Sequence, residues 1–352
     1  MSLMLVERIE GKWIDCFAEV FSLCGIQPGE VAAVLSETQS RRVNVELAKL
    51  ALQRLGAQVF EVMLTTPPLA VPIPVRSTGS SDAIRRIGPV VSSLAQAGFV
   101  ADLTVEGLMH APELPDILQG GARVLYVSNE HPEILERLMP VPADEGVVKA
   151  AMKRLRGAKA MRVTSPHGTD LTVNLEGMRV GGVWGFTARP GTLSHWPGGI
   201  VLGFPAKGCV NGTLVMAPGD VNLTFKRYVD DEVTLRVEND YVTAIAGGGY
   251  DADLMRGYLD SWCGREGTRD AYAVSHVGWG LARGARWDAL TFYDRRDCNA
   301  TELRAFAGNF LFSTGANEVA GRHTLGHFDL PFRHCTVELD GTAVVRDGAL
   351  VE

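Results

Sequence analysis

His327 and Asp329 stand two residues apart in Gly326-His327-Phe328-Asp329-Leu330-Pro331. In an extended segment, residues i and i+2 project from one face. An imidazole and a carboxylate then point together, with Phe328 turned the other way into packing. Such a pair can grip a divalent metal from two sides; the same spacing also makes a hydrogen-bonded or salt-bridged pair that holds none. His276, in Ser275-His276-Val277-Gly278-Trp279-Gly280, is either a core histidine or the third ligand that the pair lacks. Two imidazoles and one carboxylate on one face of an iron atom form the facial triad, which leaves positions open for substrate and oxygen. These ligands also suit zinc, although a hydrolytic zinc site needs a general base nearby.

The other histidines divide by surroundings. His195 stands in Ser194-His195-Trp196-Pro197-Gly198-Gly199, read as a loop, where an imidazole titrating near neutral pH serves as acid/base or hydrogen-bond donor. His110 ends Gly107-Leu108-Met109-His110 just beyond a predicted strand. Ligands collect outside the carboxyl ends of parallel strands, which favours a site-lining role; a loop or cap residue before Pro112 is the alternative. His131 beside Pro132 and His167 in a turn read as structural, and nothing fixes the direction of His323 or His334.

The elements that must position these groups change character along the chain. Residues 1–158 alternate β and α patterns. Strands are predicted at Val31–Ser36, Gln58–Leu64, Phe99–Val105 and Ala122–Ser128, and helices at Arg42–Leu55, Asp82–Ala97, Glu113–Gln119 and Pro132–Leu138. Short connections between them argue for a mostly parallel sheet covered by helices. No GxGxxG or Walker loop follows the first strand, so a nucleotide site has no support. The proline-rich stretch Thr65–Ser81 is expected to be a subunit contact or a wall of the site. Residues 159–352 switch to period two, with strands at Ala160–Thr164, Asp170–Leu175, Gly212–Ala217, Glu232–Glu238 and Tyr241–Ala246 and helices only at Asp251–Asp260 and Glu302–Phe306. The expected architecture is an α/β domain over 1–158 and a β-rich α+β domain over 159–352 that carries the metal site.

Composition narrows the classes. A chain of 352 residues, 46% hydrophobic and 21% charged, is long enough for two cores and is neither disordered nor disulfide-stapled. With 34 basic against 41 acidic side chains the net charge is -7, which opposes binding to a nucleic acid. Six cysteines without CxxC spacing read as reduced thiols. Charges interrupt the apolar residues of MSLMLVERIEGKW, so no signal peptide is expected, and no apolar window approaches the roughly 18 residues of a membrane span. The expected location is the cytoplasm.

The motifs converge. SHVGWG (275–280), GNFLFSTG (308–315), GHFDLP (326–331), SHWPGG (194–199) and LMHAPE (108–113) together resemble the 2,5-dihydroxypyridine 5,6-dioxygenases, over most of the chain. That family is similar in fold to the thermophilic-type (M29) metallo-aminopeptidases, the alternative reading, but SHVGWG stands where those peptidases carry a metal-binding glutamate. The resemblance implies a mononuclear non-haem Fe(II) held by His276, His327 and Asp329, with His195 and His110 contacting substrate or moving protons. It implies opening of a hydroxylated N-heteroaromatic ring with incorporation of both atoms of dioxygen, for 2,5-dihydroxypyridine to N-formylmaleamate. It also implies a homo-oligomer, a hexamer. Trp184, Trp196, Phe312 and Ser313 are then expected to wall the pocket. Val183, in GGVWGFT, departs from the family, which places a carboxylate nearby; if that carboxylate grips a polar ring substituent, an apolar residue there implies a different ring substitution.

Overall fold

The computed structural model describes residues 8–73, 76, 79–295 and 297–351. Residues 1–7 of the N-terminal stretch, and 74, 75, 77 and 78 of the proline-rich stretch, lie outside the described residues, so the role expected of residues 65–81 falls partly outside them.

In chain order the first elements are α1 (Gly11–Leu23), β1 (Val31–Glu37), α2 (Arg42–Arg54), β2 (Gln58–Leu64), α3 (Gly88–Ala95) and β3 (Phe99–Asp102). Next come α4 (Leu114–Gln119), β4 (Arg123–Val127), α5 (Pro132–Arg137), α6 (Pro142–Gly157), β5 (Ala160–Thr164), β6 (Asp170–Asn174) and β7 (Arg179–Val183). The strands β8 (Leu193–Trp196), β9 (Ile200–Phe204), β10 (Val210–Met216), β11 (Val221–Asn222), β12 (Arg227–Tyr228), β13 (Val233–Glu238) and β14 (Tyr241–Ala246) follow. The chain ends with α7 (Tyr250–Glu266), β15 (Val274–Gly280), α8 (Thr301–Ala305), β16 (Phe310–Thr314), β17 (Phe328–Phe332), β18 (Thr336–Leu339), β19 (Thr342–Arg346) and β20 (Ala349–Leu350).

The described residues form two compact units, neither of them one continuous stretch. The first draws on Met1–Pro68, Gly79–Pro142 and Trp184–Gly198; the second on Leu69–Thr78, Ala143–Val183 and Gly199–Glu352. The first unit is a five-stranded parallel sheet in the order β2-β1-β3-β4-β8. Alternate residues of its strands enter two different cores. Ala32 and Val34 pack with Phe17 of α1 and Leu47 of α2, whereas Ala33 and Leu35 pack with Leu94 of α3 and Ile117 of α4. A sheet covered by helices on both faces is the expected setting for all-parallel pairing.

Two expected elements are shorter than their patterns. The helix predicted from Asp82 begins at Gly88, because Arg86 takes a left-handed φ of 61° and Pro89 falls in the first turn, where a missing N–H costs nothing. The strand expected to reach Val105 stops at Asp102, whose carboxylate Oδ1 accepts from the Thr104 backbone N–H at 3.0 Å and turns the chain.

The second unit holds two large antiparallel sheets and the two-stranded antiparallel pair β11-β12. Eight strands run in the order β14-β13-β10-β6-β5-β18-β19-β20, and five in the order β17-β16-β15-β9-β7. One hydrophobic core joins them, with Leu171, Leu214 and Leu235 from the larger sheet, Val277, Phe312 and Leu330 from the smaller, and Tyr258 and Trp262 from α7. Among the described residues no helix is long and apolar enough to cross a membrane.

Candidate metal centre

Three neighbouring antiparallel strands, β15, β16 and β17, build the site. Residues directly opposite one another in an antiparallel pair share a face. His276 lies opposite Ser313, and Ser313 opposite Asp329, so the three form one row across the sheet. Phe204 of β9 continues the row, its ring centroid 5.4 Å from that of His276. His327 precedes β17 by one residue and, two positions from Asp329, projects from the same face. The intervening Phe328 turns into the core against Tyr258, as alternation requires.

The donors converge. His327 Nε2 is 3.1 Å and His276 Nε2 3.7 Å from Asp329 Oδ1. One ligand atom from each residue falls within 4.8 Å of the others, and all three residues are buried. The two imidazoles stack at 5.4 Å between centroids and 25° between planes. The second carboxylate oxygen, Asp329 Oδ2, pairs with Arg304 Nε of α8 at 2.5 Å. Burial alone would push the Asp329 carboxyl up, but the Arg304 guanidinium and the His327 imidazole outweigh it and hold the group well below its usual range. Asp329 is a carboxylate.

Neighbours hold this geometry. Tyr258 Oη donates to the His327 carbonyl oxygen at 3.1 Å. Gly326 is required by a close approach: a Cβ there would lie 2.8 Å from Trp262 and Ala271. Gly315 combines a φ of +123° with a position where a Cβ would sit 3.1 Å from His327 Nδ1.

A cation fits the donor set. Metal bonds of about 2.1 Å meeting at right angles leave neighbouring donor atoms roughly 3 Å apart, close to the separations seen. Ser313 Oγ approaches both His276 Nε2, at 3.0 Å, and Asp329 Oδ1. Asp329 only accepts, so the Ser313 proton goes to Oδ1, and without an ion the hydroxyl can only accept from His276 Nε2; a bound cation would instead take a lone pair from each of the two ligands.

The remaining expected site residues are placed variously. Phe312 lies opposite Val277 and Leu330, on the face of β16 away from Ser313, and is wholly buried in the core. Trp196 ends β8. It is buried in the first unit against Phe17, and its Nε1 donates to the Leu138 carbonyl oxygen at 2.9 Å. Trp184 is half-buried with its ring edge-on to Phe186. Val183 ends β7 opposite Ile200, which lies opposite Gly280, four residues along the sheet from the row that contains His276.

His195 sits on β8, opposite Tyr126 of β4, and not in a loop as its glycine-rich surroundings suggest. Its Nδ1 is 2.6 Å from the Pro197 carbonyl oxygen. A carbonyl only accepts, so Nδ1 carries a proton, and in the neutral ring the lone pair is on Nε2. His110 follows β3 in a loop tied by Asp102, which accepts from Thr104 Oγ1 at 2.6 Å and from the Leu108 backbone N–H at 2.8 Å. The His110 backbone N–H donates to the Gly79 carbonyl oxygen at 2.9 Å. Arg304 and Phe204 are contacts of the triad that residue spacing does not reveal, because each reaches it from another element; Ser275 meets its neighbour His276 through a register shift in β15.

Fold and donor set together define a mixed α/β protein with a buried site of two histidines and one carboxylate. The sequence model of the NicX family, described as 2,5-dihydroxypyridine 5,6-dioxygenase, matches residues 12–352. A 2,5-dihydroxypyridine 5,6-dioxygenase of Pseudomonas putida (strain KT2440) is 36% identical over 339 residues, 95% of each chain. The chain belongs to this dioxygenase family. The solved structure of 2,5-dihydroxypyridine dioxygenase from P. putida KT2440 superposes with a TM-score of 0.89 at 33% identity, covering 96% of both chains. Wild-type AmpT from Thermus thermophilus, at 16% identity and a TM-score of 0.59 over 97% and 99% of the two chains, shares the fold alone.

Proposed function

We propose that this chain is an Fe(II)-dependent ring-opening dioxygenase acting on a hydroxylated pyridine, with 2,5-dihydroxypyridine as substrate and N-formylmaleamate as product. The observation that carries the reading is the row of His276 and Asp329 completed by His327, in a chain 36% identical to an enzyme of that name. In the reaction the bond between ring carbons 5 and 6 breaks and both atoms of one dioxygen enter the product, so no further reductant is consumed. Held by these three residues, ferrous iron would supply Lewis acidity and redox chemistry with coordination positions left open.

The residues have separate tasks. His276, His327 and Asp329 hold the ion, and Arg304 keeps Asp329 ionised. Ser313, whose hydroxyl now donates to Asp329 Oδ1, is proposed to donate to a substrate oxygen once a cation takes that lone pair. Proton transfer is assigned to His195 through its basic Nε2, and substrate contact to His110. Trp184 and Val183 are proposed as apolar contacts for the ring, with Val183 adjusting which substituents are accepted.

The test is anaerobic loading with Fe(II), followed by oxygen uptake and product analysis with 2,5-dihydroxypyridine. One mole of oxygen per mole of ring, with both atoms in N-formylmaleamate, is expected. A zinc-loaded, iron-free preparation that turns over equally well would overturn the assignment of iron.

A further inference from the structure

We propose that Ser275 is a positioning residue: it fixes His276 as the Nδ1–H tautomer, so that Nε2 presents its lone pair to the metal. This rests on the reading of the triad as a metal centre.

The argument begins with a register change. Val274 lies opposite Thr314 and His276 opposite Ser313, so two steps along β15 match one step along β16. Ser275 is the extra residue of a β-bulge, a device that re-aims side chains. Thr314 and Ser313 project from opposite faces, and their partners follow. Val274 enters the hydrophobic core while His276 joins the row of donors. In an unbroken strand the two would share a face. The bulge therefore delivers the imidazole to the site.

It also brings adjacent side chains together. Ser275 Oγ is 3.1 Å from His276 Nδ1 and donates to the Ala316 carbonyl oxygen at 2.6 Å. A carbonyl oxygen has no proton to give, so the hydroxyl proton is committed to Ala316. Toward His276 the hydroxyl can then only accept, which requires a proton on Nδ1 and makes Nε2 the nitrogen that a metal can bind. Nε2 is the atom facing Asp329 and Ser313. Ala316 is itself held, since the preceding Gly315 N–H donates to the Ala273 carbonyl oxygen at 2.8 Å. Outer partners of this kind commonly set the tautomer and orientation of a metal-binding imidazole.

The decisive measurement is ¹⁵N NMR of histidine-labelled, metal-free protein, with the His276 ring assigned by its loss in His276→Gln. In the wild type Nδ1 is expected to carry a proton, whether or not Nε2 carries one as well. Ser275→Ala should shift the ring toward the Nε2–H form and weaken anaerobic Fe(II) and Co(II) binding about 10- to 100-fold. Ser275→Thr, which restores a hydroxyl, should recover both, and Ser275→Cys replaces the alanine variant if that one does not fold. A wild-type His276 protonated on Nε2 alone, with Nδ1 bare, overturns the inference, as does a Ser275→Ala protein with unchanged Nδ1 protonation and unchanged affinity. If the wild type binds neither metal, the metal reading fails, while the NMR signal still decides whether Ser275 sets the tautomer.

Discussion

The two sheets that carry imidazoles hold them in different ways. In the parallel sheet His195 stands at the end of an edge strand, and its ring is fixed by the carbonyl oxygen of Pro197, two residues away. In the smaller antiparallel sheet His276 lies within a central strand, fixed by a bulged neighbour and set in a row with residues 37 and 53 positions further along the chain. Parallel pairing offers functional groups at strand ends, where loops begin. Antiparallel pairing lets cross-strand partners meet in mid-sheet without any loop. A donor set that must hold an ion to within tenths of an ångström gains from that rigidity.

The sharpest way to break the comparison is to alter the two faces of one sheet. His327→Ala should abolish both iron binding and turnover, since two ligands rarely retain the metal; iron content would be measured after anaerobic loading. Phe312→Ala, on the opposite face, should cost about 3–5 kcal/mol of stability through the cavity it leaves. Its folded fraction should still bind iron. If Phe312→Ala lost the metal at temperatures where it remains folded, the separation between donor face and core face would be wrong.

Next in size is the parallel unit. His195→Gln should lower kcat by about 10²- to 10⁴-fold, the range for a lost acid/base group, with iron affinity unchanged. Loss of iron in this variant would show that the two histidines do not have separable tasks.

These contrasts also show what the sequence makes legible. Hydrophobic periodicity locates β1, α2 and β2 to within a residue or two, because each pattern is written in contiguous residues. The pairing of His327 with Asp329 is equally local. The convergence of His276 on that pair is suggested by chemistry, and its row becomes visible only through strand register, which no local window contains. Phe312 and Trp196 show what register decides: Ser313 stands in the donor row, and alternation along β16 sends Phe312 into the core, as Trp196 of β8 enters the core of the first unit. The bulge at Ser275 is the exception to alternation, and nothing in SHVGWG announces it.

A pH titration probes the loop that carries His110. Burial pushes the Asp102 carboxyl up to about 7, against three stabilising hydrogen bonds. A carboxyl raised on folding binds more protons in the native than in the unfolded state between its two pKa values. Stability therefore falls as pH rises from about 4 to about 7 and levels off above that. Asp102→Asn should remove this component of the slope, read from the urea midpoint at successive pH values. Identical slopes in wild type and variant would mean that Asp102 ionises freely in the folded protein.

The smallest effect expected is at Tyr258. Its hydroxyl donates to the His327 carbonyl oxygen from the core side of the sheet, and the ring packs on Phe328 at 5.4 Å. Tyr258→Phe keeps the ring and removes one hydrogen bond, a loss of about 1 kcal/mol to stability. The carbonyl left without that donor is buried beside a metal ligand, so the His327 backbone gains some freedom. Iron affinity should fall only a few-fold, far less than for Ser275→Ala, because Tyr258 touches the backbone and leaves the tautomers of both imidazoles untouched. A larger loss than at Ser275 would reverse the order and make backbone placement, rather than ring protonation, the tighter constraint on the donor row.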